Sequence, residues 1–238
     1  MTLFNVADWR SMASQPAIGV AATFLAYLFA VQLHRLAGAR SILNPTLVSI
    51  VIIALALKVC GLDYKIYAQS AAFVTFMLGP AVVLLAVPLF RRRQLIWESG
   101  RVIGGALAIG MPAGALSAVG FAWLFGADRQ TLLSLAPKSA TAGIAIGISE
   151  KIGGLPALIA VLVIMTGIVG AVCGPFLIGR IGVRDPRAVG LAIGISSHGI
   201  GTARALQIGE VAGAFSGLGM GLNGVLTAIA LPLICNLF

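Results

Sequence analysis

Charged residues divide this chain into long apolar intervals. A helix that crosses a membrane needs about 20 apolar residues. The intervals Arg10–Arg35, Lys65–Arg91, Arg101–Asp128, Lys151–Arg180 and Glu210 to the C-terminus are long enough, and Arg40–Lys58 is a tight fit. The pattern predicts an all-α polytopic membrane protein with about six spanning helices. Two further apolar stretches are too short. "SATAGIAIGIS" (139–149) lies between Lys138 and Glu150, and "AVGLAIGISSHGIGT", within 188–203, lies between Arg187 and Arg204. As helices at 1.5 Å per residue they reach about 16 Å and about 24 Å, against a hydrocarbon core of about 30 Å. They are predicted to be broken or re-entrant helical segments. Irregular backbone at membrane depth is tolerated where it is buried in protein or lines an aqueous cavity, and transporters build their sites from such discontinuous helices.

The order of features repeats. "NPTLVSIVIIALAL" (44–57) precedes an apolar run with "LGP" (78–80), an arginine cluster and "RVIGGALAIG" (101–110). "PKSATAGIAIGIS" (137–149) precedes a run with "CGP" (173–175), more arginines and "RAVGLAIGIS" (187–196). This predicts one integral membrane domain over 1–238, with a first repeat at 41–126 and a second at 134–238. The positive-inside rule places Arg91, Arg92 and Arg93 on the same side as Arg180, Arg184 and Arg187, with 137–150 dipping in and out between two crossings. An inverted repeat would instead place the two clusters on opposite sides.

Composition agrees with a lipid solvent: 59% of the 238 residues are hydrophobic, only 10% are charged, and the mean hydropathy is +1.04. Soluble domains carry roughly 25% charged residues. The net charge of +9 is spread in short clusters between apolar runs, which suits membrane-edge anchors and not a nucleic-acid face. Asp8 and Arg10 cancel before the first apolar run, and His34, Arg35 and Arg40 follow it. That order predicts a retained helix with its N-terminus outside, not a cleavable signal. Cys60, Cys173 and Cys235 show no disulfide or metal spacing and are expected to be small core residues.

The concentrated polar chemistry lies in the two short stretches. Pro137 cannot donate an amide and Ser139 is a good N-cap, so "PKSATAG" predicts a half-helix start where free N–H groups, the helix dipole and Lys138 together favour a carboxylate. Glu150 and Lys151, before Gly153 and Gly154, predict an interfacial C-terminal stop. In "SSHGIGTARA", Gly199 and Gly201 would permit unwinding and Thr202 would cap a second half-helix, with Ser196, Ser197 and His198 at the break. Arg204 suits a substrate carboxylate through its paired donors, or else lies at the membrane edge. His198 is the pH-responsive group if transport is proton-linked, and its alternative role is to hydrogen-bond a carbonyl. Asn44 and Asn223 line a pathway or bridge helices, and His34 is expected at the interface. Gly217 and Gly221 predict a small-xxx-small helix contact. No zincin, phosphate-loop or nucleophile-elbow motif is present, so the chain is not expected to be an enzyme, and neither cofactor nor metal is expected.

"PKSATAGIAIGISEKIGGLPALIAVLVIMTGIVGAVCGP" and "SSHGIGTARALQIGEVAGAFSGLGMGLNGVLTAIALPL", with "LNPTLVSIVIIALAL" and "LGPAVVLLAVPLFRRR", resemble the LrgB/CidB family of bacterial membrane proteins. Where that family usually reads PKSVTTPIA, this chain has Ala140, Ala142 and Gly143 and keeps Ser139 and Thr141, so one hydroxyl and one proline are lost at the first candidate site. The resemblance implies a multi-pass protein of the bacterial inner (cytoplasmic) membrane, distantly like the broken-helix cation/proton antiporter and bile-acid transporter folds. It implies an antiholin-like role in murein hydrolase export and autolysis, beside a small LrgA/CidA-type membrane partner. Through relatives linked to glycolate, glycerate and pyruvate movement, it also implies a monocarboxylate transporter. Lys138, Ser139, Thr141, Ser196, Ser197, His198, Thr202, Arg204, Asn44 and Asn223 are the candidate substrate contacts. A small carboxylate, the lipid bilayer and further copies of the chain are the expected partners, and nucleic acid is not. The rival expectation is a holin-like regulator or pore subunit that transports nothing itself.

Overall fold

The computed structural model describes residues 11–38 and 43–235; Asp8, Arg10 and Arg40, on which the N-terminal charge argument rests, lie outside them. The described residues are helical, with no sheet among them. The chain divides into two compact units, 1–84 and 85–238.

The first unit holds α1 (Pro16–Leu36), α2 (Pro45–Val59), α3 (Tyr64–Ser70) and α4 (Ala72–Leu84). Proline at the first positions of α1 and α2 gives up only an amide that no helical carbonyl could take. Asn44 caps α2, its side chain accepting from the Thr46 and Leu47 amides, and Asp63 caps α3 through Lys65. The Thr23 and Tyr67 hydroxyls meet at 2.8 Å. His34, in the last turn of α1, is buried and bonds the Leu43 carbonyl at 2.8 Å.

The second unit holds α5 (Ala86–Arg91), α6 (Arg93–Glu98), α7 (Gly100–Leu124), α8 (Arg129–Leu135), α9 (Ala142–Ile152), α10 (Pro156–Arg180), α11 (Pro186–Ile208) and α12 (Glu210–Cys235). Among the described residues, five helices are long and apolar enough to cross a membrane: Pro16–Leu36, Ala72–Arg91, Gly100–Leu124, Pro156–Arg180 and Glu210–Cys235. The sixth predicted span, α2, has only 15 helical residues, about 22 Å at 1.5 Å per residue.

The 23 residues of α11 do not form a straight rod. His198, at φ 42° and ψ −138°, interrupts the helix. A Cβ built at Gly201 would lie 2.6 Å from the Ser197 Cβ and 2.8 Å from Ile193 Cγ2, an approach that residues four and eight positions apart never make on one straight helix. The chain therefore reverses at His198 into two antiparallel arms, 186–197 and 199–208, of about 18 and 15 Å. Contacts to α12 show the same reversal. Gly190 and Gly194 of the first arm press on the Ala212 and Ser216 carbonyl groups in parallel order, whereas Thr202 meets Ser216 and Leu206 meets Gly213 in antiparallel order. At Gly190 and Gly194 an added Cβ would lie 2.8 Å from those carbonyl carbons, so only glycine permits this backbone-to-backbone packing. Ile193, Ala205 and Ala212 close the three-layer contact.

The unit has two distinguishable ends. At one, Ser99, Asp185 and Arg187 line a cavity of about 120 Å³ and Arg92 pairs with Glu210 at 3.1 Å, so the two arginine clusters lie together. At the other, the Leu155 amide donates to Ser134 Oγ at 2.7 Å, which seats α8 beside the turn that leads from α9 into α10. Gly153, with φ 84°, ends α9 in the left-handed conformation predicted for that stop, and Glu150 and Lys151 are exposed. Cys60 and Cys173 are exposed, not core residues as expected, because Cys173 points outward from α10 and Cys60 follows the last turn of α2.

Candidate functional site

Two interrupted segments pack on the middle stretches of the same two long helices, α10 and α12. The tip of the α11 hairpin rests on the middle of the 25-residue α10. A Cβ at Gly167 would lie 2.6 Å from His198 Cε1, and one at Gly170 would overlap Ser197 Oγ and lie 2.6 Å from Ser197 Cβ. The His198 ring is held by Val163, whose carbonyl can only accept, so Nε2 donates its proton across 2.9 Å. Thr202 Oγ1 donates to the His198 carbonyl at 2.8 Å and lies 2.9 Å from Ser216 Oγ. Ser196 Oγ donates to the Ala192 carbonyl and meets Ser197 Oγ at 2.9 Å.

The second segment is the connection 136–141 and the start of α9. Ser139 Oγ lies 3.6 Å from where a Cβ of Gly114, midway along α7, would be. The Ser139 carbonyl accepts from Asn223 Nδ2, midway along α12, at 3.2 Å. Ala140 and Ala145 pack on Ile159 and Val163, which brings this segment to the stretch of α10 that holds His198. Lys138 Nζ donates to Ser139 Oγ at 3.3 Å. The start of α9 and the break in α11 therefore both reach the Val163 stretch of α10.

Several local expectations change. The residue at the head of α9 is Thr141, not Ser139, and its side chain makes no cap bond; the two backbone turns at 138 and 140 delay the helix. The break falls on His198, while Gly199 and Gly201 do not adopt positive φ; Gly201 serves close approach of the arms. Thr202 bonds back to the carbonyl four residues earlier and does not cap an amide. Arg204 lies one and a half turns from the tip toward Gly209, half-buried, with Nη1 on Gln207 Oε1 at 3.0 Å and Nε without a partner, so it is not gathered at the break. Asn44 belongs to the first unit, where its oxygen serves as a cap. Gly217 packs on Leu85 and Leu89, but nothing lies near Gly221. The closest helix contact uses Gly190 and Gly194, a small-xxx-small pair legible in "VGLAIG". The roles of Gly167 and Gly170 emerge only when α10 meets the tip. An apolar cavity of about 390 Å³ in the first unit, between α1, α2 and α3, is lined by few polar groups, Tyr67 and Ser70 among them. Among the described residues no cluster of His, Cys, Asp or Glu could hold a metal ion.

A multi-pass helical membrane protein with a reversed helix pinned at mid-length is the class that this architecture defines. Within that class, residues 23–237 match the model of the LrgB-like family, and the chain belongs to that family. It is 35% identical over 216 residues to the uncharacterized protein YxaC of Bacillus subtilis, covering 91% of this chain and 94% of that one. It is 32% identical over 197 residues to the holin-like protein CidB of Staphylococcus epidermidis, covering 83% and 86%. The holin-like protein CidB of Staphylococcus aureus is 30% identical over 216 residues, covering 91% and 94%. No solved structure matches.

Proposed function

We propose that this chain is a secondary transporter of small monocarboxylates, of the pyruvate, glycolate or lactate class, in the cytoplasmic membrane of a bacterium. The observation that carries the reading is that two interrupted segments pack on the middle stretches of the same long helices, α10 and α12. Helices of 25 residues are about 38 Å long, so their midpoints lie near the centre of a core about 30 Å thick. A charged side chain there costs about 2.5–3.5 kcal/mol on insertion scales. Lys138 has no carboxylate partner among the described residues, and a substrate anion would supply the missing charge. The α9 N-terminus and the start of arm 199–208 add amides that no helical carbonyl takes. Lys138, Ser139 and Thr141 would hold the carboxylate beside Asn223, with Ser197, His198 and Thr202 forming the far wall and Ser196 supporting Ser197. Arg204, half-buried toward the arginine-rich end, would draw the anion in from that side, which the positive-inside rule makes cytoplasmic. The small residues Ala140, Ala142 and Gly143 leave room for two or three carbons.

Uptake of radiolabelled pyruvate and glycolate into proteoliposomes, with and without an inward proton gradient, tests the reading. Saturable uptake that Lys138→Ala abolishes, in protein that inserts and elutes like wild type, is the expected result. Unchanged uptake in that variant would overturn the site. The names of the staphylococcal relatives favour a second reading, a holin-like regulator or pore subunit acting with further copies or a small LrgA/CidA-type membrane protein. It predicts that lysis effects follow mutations on the helix surfaces and survive Lys138→Ala.

A further inference from the structure

Four polar side-chain atoms are buried without a partner: Arg92 Nε, Ser149 Oγ, Arg204 Nε and Asn223 Oδ1. Three of them sit away from the tip. Arg92 belongs to the ion pair at the arginine-rich end, Arg204 points along its arm, and Ser149 is wedged against Gly154 at the outer end of α9. Asn223 is different. It is 1% exposed and stands midway along α12, and its Nδ2 is anchored on the Ser139 carbonyl. Anchoring the nitrogen orients the amide, because nitrogen and oxygen share one carbon. The oxygen is thereby held beside the segment that leads into α9, whose 11 residues present free amides at their start. Buried polar groups are nearly always paired, so an acceptor left open at this place requires a donor from outside the chain.

We infer that Asn223 is the specificity-determining residue of the proposed transport site and selects carboxylates that carry a hydroxyl donor over their keto counterparts. This rests on the transport reading above and adds one requirement to it. The carboxylate seat, formed by Lys138 and the α9 N-terminus, offers cationic and donor groups and fits any small anion. Asn223 Oδ1 offers only an acceptor. A 2-hydroxy acid places its hydroxyl next to its carboxylate and satisfies both. A 2-oxo acid of the same skeleton presents a second acceptor, and the buried Oδ1 is then left facing a lone pair.

Matched pairs, lactate against pyruvate and glycolate against glyoxylate, isolate that hydroxyl. Ligand-dependent thermal stabilisation of the purified chain gives an affinity for each, and competition against labelled lactate in proteoliposomes gives a second ratio. Wild type is expected to favour the hydroxy acid of each pair by about tenfold or more, the discrimination that a buried group loses when unpaired. Asn223→Leu should bring the ratio close to one by weakening the hydroxy acid alone. If wild type binds both members of each pair equally, or if Asn223→Leu keeps the preference, this inference is overturned and the transport reading stands. If wild type binds none of the four acids, both fall. The wild-type ratio needs no variant, so a poorly folded Asn223→Leu protein does not remove the test.

Discussion

Replacing Gly170 by alanine probes the contact on which the site depends, the seat of the α11 tip on α10. The new Cβ would overlap Ser197 Oγ and lie 2.6 Å from Ser197 Cβ, with Ser197 Cα at 3.7 Å. Turning the serine side chain clears the oxygen but not its Cβ, so the backbone of the tip or of α10 must shift. Overpacking of this kind costs typically 1–3 kcal/mol, and a contact this short belongs at the upper end. Alanine returns about 1 kcal/mol of helix propensity, which leaves a net loss of about 2 kcal/mol. At about 2–4 °C per kcal/mol for a chain of this size, the melting temperature should fall by about 4–8 °C. Thermal unfolding in detergent, followed by circular dichroism and by recovery of the monodisperse peak, measures it. Gly147→Ala is the control, because Gly147 lies in α9 with open space around its Cα and should gain stability. Adding Ser197→Gly to Gly170→Ala leaves only the ordinary 3.7 Å contact and should restore most of the loss. Gly170→Ala as stable as Gly147→Ala, or a double variant no better than the single, would refute the packing argument.

Two further outcomes follow from local geometry. His198 holds a φ of 42°, a conformation that costs a non-glycine residue of order 1–3 kcal/mol, so His198→Gly should be more stable than His198→Ala by about that amount, while both lose the Val163 bond. Equal melting temperatures for the two would show that the break is not strained. In the turn between α10 and α11, the hydrogen bonds from Arg187 hold the Asp185 carboxyl below its ordinary range. A depressed carboxyl stabilises the fold above its unfolded value and loses that contribution as pH falls through the folded one. The small difference in melting temperature between wild type and Arg187→Ala should therefore be present near neutrality and vanish in acid; a difference that persists in acid contradicts it.

The spanning helices were legible because their cause is local. Charges cannot lie in the middle of a lipid-facing helix, so the intervals between them measure the spans, and in four of the five long helices the charges lie only within two residues of an end: Arg35, Arg91, Arg101 and Arg180. The fifth, Glu210–Cys235, begins on the last charged residue. The two short stretches were legible for the same reason, since neither could be a plain span. Their details were not. Pro137 and Ser139 look like a helix start, yet the turns bonded from Leu135 and Pro137 carry the chain on to Thr141. Gly199 and Gly201 look like the weak point, yet His198 takes the unusual backbone angles because Val163 fixes its ring and the close arms need glycine at Gly201.

The sequence by itself determined the solvent, the number of long apolar helices to within one, and the places where the helical pattern has to be interrupted. These follow from hydropathy and spacing, which each segment carries alone. Only the tertiary structure decided that 186–208 doubles back, that its tip stops midway along α10, and that Asn223 of α12 holds the Ser139 segment while Arg204 lies away from the tip. Those outcomes depend on which glycines face which backbone: Gly190 and Gly194 against α12, and Gly167 and Gly170 against the tip. A glycine written in a sequence does not say what will approach it, and that approach brings the polar residues of two distant segments to one place.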